Sequence, residues 1–573
     1  MTITQHLHAA IERPTERCAV RFKQHREWLT LNWKDYYRSC EAVGLGLLAL
    51  GIQPGDRVAI MANTRWEWGA ADFGVMGIGA VTVPIYQSSR PEEVDYVLKN
   101  SGARVLFVED GSQLRKWENL GRKNSAVEHV VCIQVESELP EGVISWDELL
   151  NRGIESLGAS DAFVRGIERS TREDVATIIY TSGTTGEPKG VVLTHEQIMS
   201  EIEDIAKAFP ISPSDSTLTF LPYAHVLGRV ELWLHTYVGF TMNYAESIER
   251  LRSNLSEVRP TVMIGVPRIF EKIHAGLLTQ IEGSPWRKRL FHWLNETHGW
   301  PQSLLAEHLI FSKLREGLGG RLRFVVSGGA PLDAKLADFF HRAGLLILEG
   351  YGLSETTAAI AVNTPSSYRF GSVGRPLADV DIKLAPDGEI LVKSKKVMKG
   401  YYGNEEATRA AMEDGYFKTG DIGEWTEDGY LRITDRKKDL IKTAGGKYVA
   451  PQKIEGLLKL NPLISQVLVH GDRRKYVVAL VTLNDSYLKQ LARDRNWIYR
   501  DYRALTQLRE VRTLVHTAVA EANAHLASFE TVKNFAILPE DFSVESGELT
   551  PSLKIKRRVC DEKYKTVIDE LYH

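Results

Sequence analysis

The sequence predicts an α/β fold, and three observations carry that expectation. Segments of helical period alternate with short apolar strands through most of the chain. Several of those strands run directly into glycine-rich stretches. After about residue 365 the texture changes to short alternating strands and tight turns, and a fresh α/β pattern starts beyond Asp435-Arg436-Lys437-Lys438.

In chain order, Trp33 to Leu50 reads as a helix, closed by Gly51 and Pro54-Gly55. Arg57 to Met61 reads as a strand. Ala70 to Tyr86 is the longest apolar stretch, but Asp72, three glycines and Pro84 make it a helix followed by a strand rather than a membrane span. Arg104–Val108, Thr261–Ile264 and Leu322–Val326 read as buried strands. Asp387-Gly388, Asp414-Gly415 and Asp428-Gly429 are turn dipeptides of the β-rich stretch.

At 573 residues the chain is too long for one core, and roughly three to five domains or subdomains are expected. Hydrophobic content of 43% and charged content of 25% are those of a soluble globular protein. A net charge of −3 gives no reason to expect nucleic acid as a partner. Four scattered cysteines without metal-like spacing fit reduced thiols in a cytoplasmic compartment. The N-terminus lacks the basic start and apolar core of a secretion signal. Peripheral membrane contact and homodimerisation stay open.

Tyr180-Thr181-Ser182-Gly183-Thr184-Thr185-Gly186-Glu187-Pro188-Lys189-Gly190 concentrates hydroxyls, glycines and one lysine after the apolar run Val175–Ile179. Glycines admit close approach of an anion, while hydroxyls, amides and an ammonium supply donors, so the chemistry is that of phosphate. The kinase and GTPase phosphate loop is excluded, because that motif runs straight into a helix. Here Lys189-Gly190 leads into Val191-Val192-Leu193, a second strand, and a helix starts only at the Thr194–Gln197 capping box.

Further along, Ser327-Gly328-Gly329-Ala330-Pro331 and Glu349-Gly350-Tyr351-Gly352-Leu353-Ser354-Glu355-Thr356-Thr357 each follow a strand. Ligands of open α/β sheets gather at the carboxyl ends of strands. Tyr351 beside bare glycine backbone suits an adenine ring, and Glu355 is a hard oxygen ligand for Mg²⁺. Each motif alone equally suits an ordinary turn with a solvated carboxylate. Asp421 and Arg436 suit ribose hydroxyls, or a surface ion pair, and the basic segment Leu549–Arg558 suits catalysis or a solvated face.

Together and in this order, these motifs closely resemble the adenylate-forming superfamily of acyl-CoA synthetases, luciferases and peptide-synthetase adenylation domains. The resemblance covers the chain from Trp33 to about Val559. It is nearest to long-chain fatty acyl-CoA synthetases, through Leu221-Pro222-Tyr223-Ala224-His225 and Val266-Pro267-Arg268-Ile269-Phe270-Glu271-Lys272. The chain departs from them at Gly228-Arg229, where Glu-Arg is common, and at Leu553, which stands where many members carry glycine. An aromatic gate after the histidine has no counterpart; Arg229 sits there, and Trp233 one turn on reads as core.

The resemblance implies a large N-terminal domain (1–435) of two α/β subdomains plus a β-rich subdomain, and a small mobile α+β C-terminal domain (436–573). It implies activation of a fatty acid by ATP to an acyl-adenylate, then transfer to coenzyme A. Loading of a carrier protein, or fatty-acid binding and uptake without catalysis, are the alternatives. By residue, it implies Thr184 and Glu355 at Mg²⁺, and Thr181, Ser182, Gly183, Thr184, Thr185, Gly186 and Lys189 at the phosphates. Gly329, Ala330, Gly350, Tyr351, Gly352 and Thr356 would surround adenine and its phosphate, with Asp421 and Arg436 at the ribose. Lys554 would bridge the carboxylate and the α-phosphate, with Lys556 as its rival. Lys438 matches the hinge, Gly445 and Gly446 would face the acyl-adenylate after rotation, and His225 would pack between the acyl and adenylate sites.

Overall fold

The computed structural model describes residues 1–120, 126–157, 161–181, 187–282, 311–550 and 554–573. The predicted alternation is present. Trp33–Ala49 is a helix, and Arg57–Met61, Val105–Val108, Val262–Gly265 and Phe324–Ser327 are strands. The long apolar stretch divides into helix Trp66–Gly77 and strand Val81–Ile85. No described helix is long and apolar enough to cross a membrane.

Among the described residues an eight-stranded sheet organises the first part of the chain. Its order is Gly400–Tyr401, Lys189–Thr194, Val175–Thr181, Val81–Ile85, Arg57–Met61, Val105–Val108, His129–Cys132 and Val143–Ser145. The strands from Val175–Thr181 to Val143–Ser145 pair in parallel, and their near-continuous apolar runs follow from burial on both faces. Val175–Thr181 and Lys189–Thr194 are antiparallel neighbours, so the predicted phosphate loop does join two strands. Thr194 then caps helix His195–Ala208 and shares reciprocal hydrogen bonds with Gln197.

A second sheet runs Val262–Gly265, Phe324–Ser327, Leu346–Leu353, Ala358–Val362 and Arg375–Pro376. Here the structure corrects one expectation. Glu349–Leu353 is strand rather than turn, because Gly350 and Tyr351 pair antiparallel with Val362 and Ala361. The β-rich region follows, with Asp381–Leu384, Glu389–Lys393, Tyr416–Trp425 and Leu431–Arg436 in antiparallel pairs. Gly388, Gly415 and Gly429 take the left-handed conformation their turns require.

Beyond it, Ile464–His470, Val477–Leu483 and Val532–Ile537 form a three-stranded sheet. One apolar cluster, from Ile441 to Phe535, is built from C-terminal residues alone. In the large region, helix Val226–Val238 is buried along most of its length. Its Arg229 is fully buried, donates to Asp72 at 2.5 Å and to Thr177 at 2.5 Å, and stacks on Trp233 at 4.7 Å. Trp233 has no exposed surface and belongs to the core, as its sequence position suggests.

Candidate active site

One cavity of about 990 Å³ lies between these parts. Its polar wall gathers residues from five segments far apart in sequence. Thr181 and Lys189 flank the loop between the first two antiparallel strands, and Gly328 and Gly329 follow strand Phe324–Ser327. Gly350, Tyr351, Gly352 and Glu355 come from the end of Leu346–Leu353 and the turn after it. Thr419, Gly420 and Arg436 come from the β-rich hairpin, and Lys438 and Lys554 from the C-terminal part. The cavity thus opens at the carboxyl ends of parallel strands.

Its other wall is apolar. Ile205, Phe209, Leu234, Phe240, Val262 and Phe324 line it, and Phe209 stacks on Phe324 with ring centroids 5.6 Å apart. Phe324 begins the strand whose far end delivers Gly328 and Gly329. The cavity therefore runs the length of that strand, roughly 13–16 Å at about 3.3 Å per residue, from polar donors to packed hydrocarbon. His225 stands where the walls meet, as the N-cap of helix Val226–Val238, with Nδ1 accepting from the Leu227 amide at 3.2 Å. Burial, and secondarily the Lys554 charge, push its imidazole down to about 4, so it is neutral near pH 7.

Tyr351 donates its hydroxyl to Asp421 Oδ2 at 2.7 Å, and Arg436 Nε lies 3.1 Å from Asp421 Oδ1. Burial raises the Asp421 carboxyl above its ordinary value, opposed chiefly by Arg436. Gly352 is needed for sterics. A Cβ there would sit 1.3 Å from the carbonyl oxygen of Ala358.

Glu355 occupies a turn that is held from behind. Thr357 and Ala358 have φ of 56° and 87°, conformations that side-chain-bearing residues rarely adopt. The Thr357 hydroxyl donates to the Lys396 carbonyl at 2.7 Å, and the buried Lys396 ammonium lies 3.0 Å from Glu201 and 2.9 Å from Asp204. Tyr401, two residues beyond Lys399, donates to Glu355 Oε1 at 3.0 Å, and its ring lies 4.8 Å from Lys189 Nζ. Sequence reasoning missed Tyr401. Its only signal is the glycine-flanked Gly400-Tyr401 strand beside Lys189–Thr194.

Lys554 retains accessible surface because it projects into the open cavity, yet protein surrounds it. That desolvation, with Arg436 nearby, pushes its ammonium down to about 8, while Asp421 and Glu355 oppose the shift. Lys556 is elsewhere, its Nζ 3.1 Å from Glu93.

Ser182, Gly183, Thr184, Thr185 and Gly186 lie outside the described residues. Five other expected site residues do not line the cavity. Asp421 is buried behind it, both carboxylate oxygens taken by Tyr351 and Arg436. Ala330 is exposed beyond Gly329, which turns away with φ of 81°. Thr356 is fully buried, and its hydroxyl accepts from the Leu353 amide at 2.9 Å. Gly445 and Gly446 form the exposed turn of the Ile441–Lys442/Tyr448–Val449 hairpin.

A carboxylate beside a lysine ammonium and a strand-end backbone fits a shared phosphate-bound cation better than a closed protein cage. Among the described residues no three acidic, histidine or cysteine side chains cluster as a metal cage.

The chain matches the model of the AMP-binding enzyme family over residues 7–402 and that of the AMP-binding enzyme C-terminal domain over residues 438–573. It is 38% identical to a long-chain-fatty-acid–CoA ligase of Mycobacterium tuberculosis, covering 95% of this chain and 93% of that protein. It is 32% identical to the peroxisomal long chain acyl-CoA synthetase 7 of Arabidopsis thaliana, covering 94% and 82%. Among solved structures, an anthranilate CoA ligase in complex with anthranoyl-AMP shares the fold at 22% identity with a TM-score of 0.76, covering 99% of this chain and 98% of that one. Sequence match, fold and the placement of the strand-end motifs agree: the chain belongs to the AMP-binding enzyme family.

Proposed function

We propose that the protein is a long-chain fatty acid–CoA ligase, forming acyl-CoA, AMP and pyrophosphate from a fatty acid, ATP and coenzyme A. The observation that carries this reading is the two-walled cavity, in which Lys554 and neutral His225 stand between phosphate donors and an apolar passage. The relatives' names support the substrate class.

In the first step a carboxylate oxygen bonds to the α-phosphorus of ATP while the bond to pyrophosphate breaks. Two anions meet, so the chemistry needs charge and alignment more than proton transfer. Lys554 supplies positive charge at the meeting point. Asp421 accepts from the ribose hydroxyls, with Arg436 and Tyr351 fixing its orientation, and Lys189 holds the distal phosphates. Mg²⁺, when bound at Glu355, neutralises phosphate charge. His225, uncharged, closes the acyl passage without competing for the carboxylate. In the second step the thiol gives its proton to solvent, the thiolate sulfur bonds to the acyl carbon, and the carbon–oxygen bond to AMP breaks, releasing AMP.

The reading includes a division into residues 1–435 and 436–573, with Lys438 at the hinge. Gly445 and Gly446 are exposed and do not line the cavity, and a rotation of the C-terminal part would bring them to the thiol's path. The cysteines Cys18, Cys40, Cys132 and Cys560 are all free, which supports a reducing, cytoplasmic setting. The test is AMP release with free coenzyme A across short, medium, long and aromatic acids. Turnover that peaks with long acids supports the reading; no acid-dependent AMP formation overturns it.

A further inference from the structure

We propose that the Glu93–Lys556 ion pair positions Lys554 in the cavity, making Glu93 and Lys556 positioning residues for adenylation; this rests on the function proposed above. Only Ile555 separates Lys554 from Lys556, so a contact that fixes Lys556 restrains the main chain that carries Lys554. The first enters the cavity and the second meets Glu93, on helix Pro91–Ser101 of the large region, at 3.1 Å. Both side chains are largely buried, at 17% and 20% exposure, so solvent screens the pair little.

Glu93 is itself held in place. Its Oε2 accepts from the Arg90 amide at 3.0 Å, and its Oε1 accepts from the Arg90 guanidinium at 3.3 Å. The Glu93 carboxyl lies below its ordinary value: hydrogen bonds from the Arg90 amide and Lys556 outweigh burial. On the other flank, Arg557 clasps Glu455 of the C-terminal part at 2.7 and 2.8 Å. Just before these anchors the main chain pairs with residues 548–550: the Lys554 amide donates to Thr550 Oγ1 at 3.0 Å, its carbonyl accepts from the Thr550 amide at 2.8 Å, and the Lys556 amide donates to the Glu548 carbonyl at 2.7 Å. Lys556 is thus the first side chain after Lys554 to grip the large region, and Arg557 fixes the same stretch to the small one. A second contact between the regions runs from Arg268 to Ser465 at 3.1 Å, but it lies far along the chain from Lys554.

The test uses E93Q, which keeps the helix-capping acceptor, together with K556M and their double variant. Each single variant should lower acid-dependent ATP–pyrophosphate exchange about fivefold, as expected for one partly buried ion pair. Thioester formation from supplied acyl-AMP should stay within about twofold, the double variant should fall no further, and K556R should retain exchange. Unchanged exchange, equal losses in both half-reactions, or multiplying losses would overturn the proposal. Hydrogen exchange on the ligand-free protein reads the pair independently of activity. E93Q should lose protection in residues 543–550 and 554–560, and unaltered protection there overturns the proposal even if the wild-type enzyme shows no adenylation. Absence of exchange in the wild type with every acid instead defeats the proposed function.

Discussion

The two sides of the cavity are built in opposite ways. Tyr351, Asp421 and Arg436 sit on paired strands, with Asp421 and Arg436 directly opposite each other across Tyr416–Trp425 and Leu431–Arg436. Lys554 sits on a short segment whose main chain pairs with residues 548–550, its amide donating to Thr550 Oγ1 at 3.0 Å and its carbonyl accepting from the Thr550 amide at 2.8 Å. Its neighbours make ion pairs with both regions. The first wall is therefore fixed by sheet pairing, whereas the position of the lysine depends on a short segment and on ion pairs to both regions. A residue needed in only one of two half-reactions suits such an attachment, and a pocket occupied in both suits a strand-built wall.

The sharpest way to break this contrast is Lys554→Ala. Removing charge from a developing transition state should cost at least about 10²-fold in ATP–pyrophosphate exchange, while thioester formation from supplied acyl-AMP stays within about threefold. Near-normal exchange would place the essential cation elsewhere. Asp421→Asn, on the fixed wall, should behave differently. Loss of a charge-assisted ribose contact should raise KM for ATP roughly tenfold or more in exchange, and weaken AMP binding alike. A variant impaired only in kcat would show that Asp421 does not hold the ribose.

The pH profile tests the lysine's surroundings. The Lys554 pKa is lowered to about 8, so its charge is present below that value and lost as pH rises through it. Adenylation kcat/KM, which reports the free enzyme, should fall up to about tenfold per pH unit above 8. In Lys554→Arg that alkaline limb should disappear, because guanidinium stays protonated; a limb that persists unchanged would assign it to another group. The smallest effect is expected from Tyr401→Phe. Loss of its bond to Glu355 should raise the Mg²⁺ requirement by a few-fold, as for one neutral donor. An unaltered Mg²⁺ titration would separate Tyr401 from the cation's site.

Legibility in the sequence follows the same division. Periodicity marked the parallel strands, since fully buried strands are continuous apolar runs, and glycine motifs marked their ends. The Glu349–Leu353 strand was hidden because glycines suggest turns, whereas here they admit the Ala358 backbone at a distance no side chain allows. Tyr401 was hidden because its partner Glu355 is 46 residues away, and Glu93 because Lys556 is 463 residues away. Pairings of that range leave no local pattern. In the sequence Arg229 is only a departure from a family motif and Asp72 only an interruption in an apolar run; their pairing spans 157 residues.

That buried Arg229–Asp72 contact has a consequence for how the molecule assembles. Asp72, Thr177 and Arg229 come from helix Trp66–Gly77, strand Val175–Thr181 and helix Val226–Val238, and either charge alone in that interior would be strongly unfavourable. The pair is favourable only when these three elements are packed together, and that packing joins residues 157 apart in the chain. His225 caps the very helix that docks. Packing of this core and placement of His225 at the cavity are thus coupled, and heat or denaturant should abolish nucleotide binding in the same cooperative transition that melts this core.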